Sequence, residues 1–181
     1  MAAEIRMLRD SREILIASRE LPGLRPLLGC LSPRVEARLL DGDADPLPAI
    51  MAALALDRLD ALHLVGAGAP GEIAITRAPA MDAMAARGLA PAAARRLEIN
   101  IWASHAGAGA RGRHFVQALA EATHARVLAS DGIVGGPDAG ASWDLAIAAR
   151  PRGLAPFARP ARDALSLPVA DGDAIGPDRT R

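Results

Sequence analysis

The chain has 181 residues, of which 51% are hydrophobic and only 2% aromatic, and its 21 basic residues balance 21 acidic ones. That is enough apolar material for one core plus an extension, and it excludes a chain disordered throughout. Zero net charge and scarce aromatics exclude a general nucleic-acid binder, which needs a basic face and stacking rings, and the single cysteine, Cys30, excludes an intrachain disulfide framework.

Every basic residue is arginine and there is no tyrosine, so the core must be built from Ala, Leu, Ile and Val. The first ten residues hold no apolar signal core. No run approaches the roughly 20 apolar residues that span a bilayer. Cytoplasmic residence is the default expectation, with export or peripheral association with a membrane or surface complex left open.

Glu13-Ile14-Leu15-Ile16-Ala17 is a compact apolar run and predicts a first, buried strand. Pro22-Gly23 ends it. Leu24–Leu31 fits a short helix with Pro26 in its first turn, and Cys30 reads there as a small core residue. Val35–Leu40 alternates and predicts a second strand. Asp41-Gly42-Asp43-Ala44-Asp45 has the acid spacing of a calcium loop, but Pro46 stands where that loop wants glycine and Ala52 where it wants its closing acid. A turn and helix N-cap fit better. The helix, Leu47–Leu56, turns Ile50, Ala53 and Leu54 to the sheet.

Ala61–Val65 predicts a third strand, again nearly all apolar. Gly66-Ala67-Gly68-Ala69-Pro70-Gly71 follows and reads as a sharp loop. No Gly-Lys-Ser/Thr completes a Walker loop, and Glu72–Ile75 reads as a short strand where a dinucleotide fingerprint needs a helix. Ala80–Arg87 predicts a helix and Pro91–Arg96 a second amphipathic piece.

Leu97–Ala129 has the order strand, loop, helix, strand, which is the unit of a parallel sheet. Phe115, Leu119 and Ala122 mark the buried face of its helix. In such sheets chemistry sits at the carboxyl ends of strands, here Ala103–Gly109. A glycine-rich loop, Ser130–Asp138, comes next, and Trp143–Ile147 predicts a last strand. From Arg150 the composition shifts to Pro, Arg, Gly and Asp, and repeated prolines prevent long regular elements. The expected division is an α/β domain over 1–149 and a proline-rich extended arm over 150–181.

Several pieces in a fixed order carry a resemblance. They are Leu40-Asp41 with Asp45 before a helix, Ala61–Val65, Gly68 with Pro70-Gly71-Glu72, and Gly109 with Gly112 and Phe115. Ala118-Leu119-Ala120, Thr123, Ala129-Ser130-Asp131, Gly135 and Trp143-Asp144-Leu145 complete the set. Together they resemble a bacterial caspase-like domain of unknown function found near the N-termini of large repeat-containing surface adhesins. The resemblance implies an α/β fold, a caspase-like three-layer sandwich whose mostly parallel sheet is flanked by helices. It also implies a histidine after the third strand and a cysteine after the fourth. The family's Ser-His-Gly is here Gly66-Ala67-Gly68, and its Tyr-Gly-Cys-Asn is Trp102-Ala103-Ser104-His105. Both members of the dyad are therefore changed, to Ala67 and Ser104.

A serine hydroxyl is much harder to deprotonate than a thiol, and Ala67 cannot act as its base. His105 follows Ser104 directly, and neighbours along an extended chain point to opposite faces. His63 lies inside its strand and reads as a satisfied core group. His63, Gly68, His105, Asp131 and Asp144 are the residues that would line an old pocket, although Asp131 and Asp144 fit better as loop caps. His114 and His124 flank the long helix, and none of the four histidines has metal-ligand spacing. No cofactor and no metal are expected.

The expected function is that of a non-catalytic protein-binding or structural subunit of a larger bacterial assembly. Its arm would dock through Leu154, Phe157, Leu165, Leu167 and Val169, because a proline-rich segment loses little entropy on binding. A serine-type hydrolase using Ser104 is one alternative, and a calcium-dependent adhesion module using Asp41, Asp43 and Asp45 is another.

Overall fold

The computed structural model describes residues 13–94, 96–136 and 140–147. The arm expected over 150–181, with Leu154, Phe157, Leu165, Leu167 and Val169, lies outside the described residues. In chain order the first half holds β1 (Glu13–Ser18), α1 (Leu24–Leu28), β2 (Val35–Leu40), α2 (Leu47–Leu54) and β3 (Ala61–Val65). A small antiparallel meander follows, with β4 (Ala67–Ala69), β5 (Glu72–Ala74) and β6 (Met81–Asp82). The rest is α3 (Ala83–Arg87), β7 (Glu98–Trp102), α4 (Gly109–Thr123) and β8 (Arg126–Ala129).

The main sheet has five strands in the order β2-β1-β3-β7-β8, and every neighbouring pair is parallel. Its three central strands are buried on both faces, which is why their sequences read as continuous apolar runs. β2 lies at an edge, is only half-buried, and accordingly keeps Glu36 and Arg38. Helices cover both faces, giving a three-layer sandwich. Ile14, Ile16, Leu62, Leu64, Ile99 and Ile101 pack beneath α2, α3 and α4. Leu15, Ala17, Val65, Trp102 and Leu128 face the other way, against Leu24 and Leu27 of α1 and against Trp143 and Leu145. Each fully buried leucine contributes about 2 kcal/mol of transfer free energy, so both faces are needed to hold the sheet. Among the described residues no helix is long and apolar enough to cross a membrane.

Five local expectations need correction. The segment after β3 is a hairpin and not a loop: Ala67 and Ala69 pair with Ala74 and Glu72 across Pro70-Gly71, where Gly71 takes φ 93°. The helix expected from Ala80 starts only at Ala83, because Met81 and Asp82 pair with β5 and Asp82 then caps it by accepting from the Met84 and Ala85 amides. Pro91–Ala94 is not helical. The Ala92 and Ala93 amides instead donate to the Thr123 and Leu54 carbonyls, which the ends of α4 and α2 leave open. Trp143–Ile147 alternates buried and exposed residues as a strand would, but Trp143 and Leu145 pack onto the second face, and among the described residues its backbone pairs with β8 through one bridge, from Ile147 to Ala129. Cys30 is half-buried, outside both core clusters.

Candidate functional site

The carboxyl ends of β3 and β7 bring Ala67 and Ser104 into the same neighbourhood. Val65 and Trp102 are partners across the two strands, and the Gly66 amide donates to the Trp102 carbonyl at 3.3 Å. The chain leaving β3 therefore runs beside the chain leaving β7. Gly68 lies flat on that second chain: a Cβ there would collide with the Ser104 carbonyl and with Ala103. Only glycine permits so close a backbone approach.

The site is closed. Ser104 is 0% exposed and Ala67 2%. The Ser104 hydroxyl oxygen accepts a hydrogen bond from the Val134 amide at 3.1 Å. Around it two strand-end loops are fastened together. The His105 amide donates to the Gly132 carbonyl, and the Gly107 amide to the Ser130 carbonyl, both at 2.8 Å. The Ser130 hydroxyl accepts from the Gly132 amide at 3.1 Å and donates to the Gly132 carbonyl at 3.0 Å. The Gly71 amide ties the hairpin to the Ala106 carbonyl. Small side chains allow this packing; a Cβ on Gly112 of α4 would run into the Gly107 backbone.

His105 is not extended. It sits at φ 59°, and its Nδ1 donates to the Asp131 carbonyl at 3.2 Å. Asp131 and Asp144 are both exposed. Asp144 closes a local turn, accepting from the Ser142 hydroxyl while its own amide donates to that oxygen. Among the described residues a cavity of about 160 Å³ is walled by Ala67, Gly68, Ala69 and Ala74, with Glu72, Thr76 and Arg77 among its polar residues. Of the expected pocket residues it includes Gly68, and His63, His105, Asp131 and Asp144 lie elsewhere. Thr76 donates to the Ala44 carbonyl at 2.7 Å, and Arg77 is held by Glu20 at 2.8 Å.

His63 belongs to a different arrangement, on the second face of the sheet. It is 1% exposed. Trp102 Nε1–H can only donate, and it lies 3.1 Å from His63 Nδ1. Nδ1 must therefore accept, which puts the ring proton on Nε2, 3.2 Å from Glu13 Oε2. The bond from His63 holds the Glu13 carboxyl below its ordinary range, with Arg34 adding a smaller attraction and burial opposing both. Beside His63 in the register stands Asn100, 0% exposed, whose side-chain nitrogen and oxygen both lack a partner among the described residues. Such groups are rare in protein interiors. Sequence reading missed both residues: Glu13 passed as the start of a strand, and Asn100 as part of an apolar run. The visible signal was one amide between Ile99 and Ile101.

Asp41 pairs with Arg19 at 3.1 Å, and Asp45 accepts from the Leu47 amide at the start of α2. Among the described residues no group of three or more His, Cys, Asp or Glu is placed to hold a metal ion. His114 is exposed beside Arg87 at 2.9 Å, and His124 ends α4 in the left-handed conformation.

No curated protein and no solved structure matches this sequence. A family match does cover most of it, over residues 14–159, and by that match the chain belongs to DUF4347, a family described as a domain of unknown function.

Proposed function

We propose that this is a non-catalytic domain of caspase-like ancestry, working as a protein-binding or structural subunit of a larger bacterial assembly. One observation carries the reading: the hydroxyl at the nucleophile position is fully buried and accepts a hydrogen bond from the Val134 amide. A nucleophile must reach its substrate and hand its proton to a base. A methyl group occupies the position that the resemblance assigns to that base, at Ala67. Fold alone carries no activity, so a sheet kept without its reacting groups is best read as a scaffold. In this reading the arm over 150–181 docks the domain to its partner.

A fluorophosphonate probe tests the reading, because it reports any serine activated for attack. The expected result is no labelling of the folded chain above that of the Ser104→Ala variant. Labelling that this substitution abolishes would replace the proposal with a serine hydrolase.

A further inference from the structure

The outer edge of β2 has the pattern of a surface that pairs with itself. Among the described residues β2 pairs with β1 alone. The carbonyls of Arg34 and Leu40 accept from Glu13 and Arg19 on the β1 side. Alternate residues of a strand address the same neighbour, so the main-chain groups of Val35, Ala37 and Leu39 point away from β1. Natural edges are commonly guarded by charged side chains, lysine above all, by proline or by a bulge, and Glu36 and Arg38 are the charges here. Val35–Leu40 holds no lysine or proline and stays in unbroken register with β1 along its length.

The charges on this strand are self-complementary. Glu36 and Arg38 lie on one face of it, their side chains 2.8 Å apart. Two copies run antiparallel about a two-fold axis at Ala37 would set Glu36 opposite Arg38 of the second copy, and Arg38 opposite its Glu36. Val35 would face Leu39 in the same register. Each Ala37 amide would reach the other copy's Ala37 carbonyl, and each Leu39 amide the other's Val35 carbonyl; the Val35 amide is already spent on the Ser32 carbonyl. Glu36 and Arg38 would then form the non-hydrogen-bonded pairs, where opposed side chains come closest. On the other face of the strand, half-buried Val35 and Leu39 adjoin half-buried Leu28 and Leu31 at the margin of the second core. Pairing would continue that core across the axis, and Ala37, the exposed residue of the strand, would sit on it.

We propose that the β2 edge is a homodimer interface, joining two five-stranded sheets into one through antiparallel β2–β2 pairing. The inference is independent of the functional reading above. The test is the mass of the full chain by sedimentation equilibrium across a range of protein concentration. The unaltered chain is expected to dimerise. Glu36→Arg places like charges across the axis and should weaken the dimer about tenfold or more. Combining Glu36→Arg with Arg38→Glu restores opposite charges and should recover it. Ala37→Pro removes an outward amide without touching the β1 ladder and should abolish it, with circular dichroism confirming the fold. A chain that stays monomeric overturns the proposal, including the case in which slow exchange at the Ala37 and Leu39 amides shows that a segment of the same chain covers the edge. A dimer unaffected by Glu36→Arg and Ala37→Pro overturns it equally.

Discussion

The two faces of the main sheet are held by different physics. Beneath α2, α3 and α4 the contacts are apolar, with Leu62, Leu64, Ile99, Ile101 and Phe115 filling space and offering nothing to bond. On the opposite face the same strands carry His63, Asn100 and Trp102, and Trp102 rests against Trp143 with ring centres 6.0 Å apart. The first face should answer to volume alone. The second should answer to the placement of protons, because a buried polar group without its partner costs more than the bond contributes when made.

Substitutions chosen to break this contrast should fall in a clear order. On the first face, Leu64→Ala should cost about 3 kcal/mol in denaturant unfolding, whereas Leu64→Met should cost less than about 1.5 kcal/mol. On the second, His63→Leu keeps much of the volume yet strands the buried Trp102 N–H and takes the His63 bond from the Glu13 carboxylate, and should cost about 2 kcal/mol. A loss from His63→Leu as small as that from Leu64→Met would erase the distinction. Asn100→Leu should act in the other direction. It removes two unpartnered buried atoms at similar volume and should stabilise by about 1 kcal/mol; a clear loss would show that the amide has a partner in solution.

The smallest effect is an acid one. The folded state lowers the Glu13 carboxyl below its reference value of 4.5. The stability it contributes is therefore present above that value and disappears as pH falls through the lower, folded one. Glu13→Gln should remove this part of the acid dependence, leaving a shallower decline in stability below about pH 4.5 while the chain at neutral pH is weaker. An unchanged slope would detach Glu13 from His63.

These contrasts also explain what was legible in the sequence. β1, β3 and β7 could be read because strands buried on both sides must be apolar throughout. The helix face of Ile50, Ala53 and Leu54 followed from helical spacing and is buried as expected. Trp143–Ile147 could not be read correctly, since alternate burial arises equally from a segment lying on a sheet and from one pairing within it. The Pro91–Ala94 turn depends on carbonyls of Leu54 and Thr123, far away in the chain, and no local pattern encodes that. At the site, Pro70-Gly71 between two short runs was a hairpin signal passed over as a loop. The closure around Ser104 rests on Val134, thirty residues onward, and on contacts that small side chains make without any periodic signature.

The account stands most directly on that closure, which a thiol placed at the position would report. In the Ser104→Cys variant, alkylation by iodoacetamide should be slower than in the urea-unfolded chain by a factor of about a thousand, set by the population of open molecules. Cys30, half-buried, should be replaced by alanine beforehand so that a single thiol is followed. Alkylation in the folded protein at close to the unfolded rate would mean that the strand-end site is open, and the scaffold reading would be contradicted.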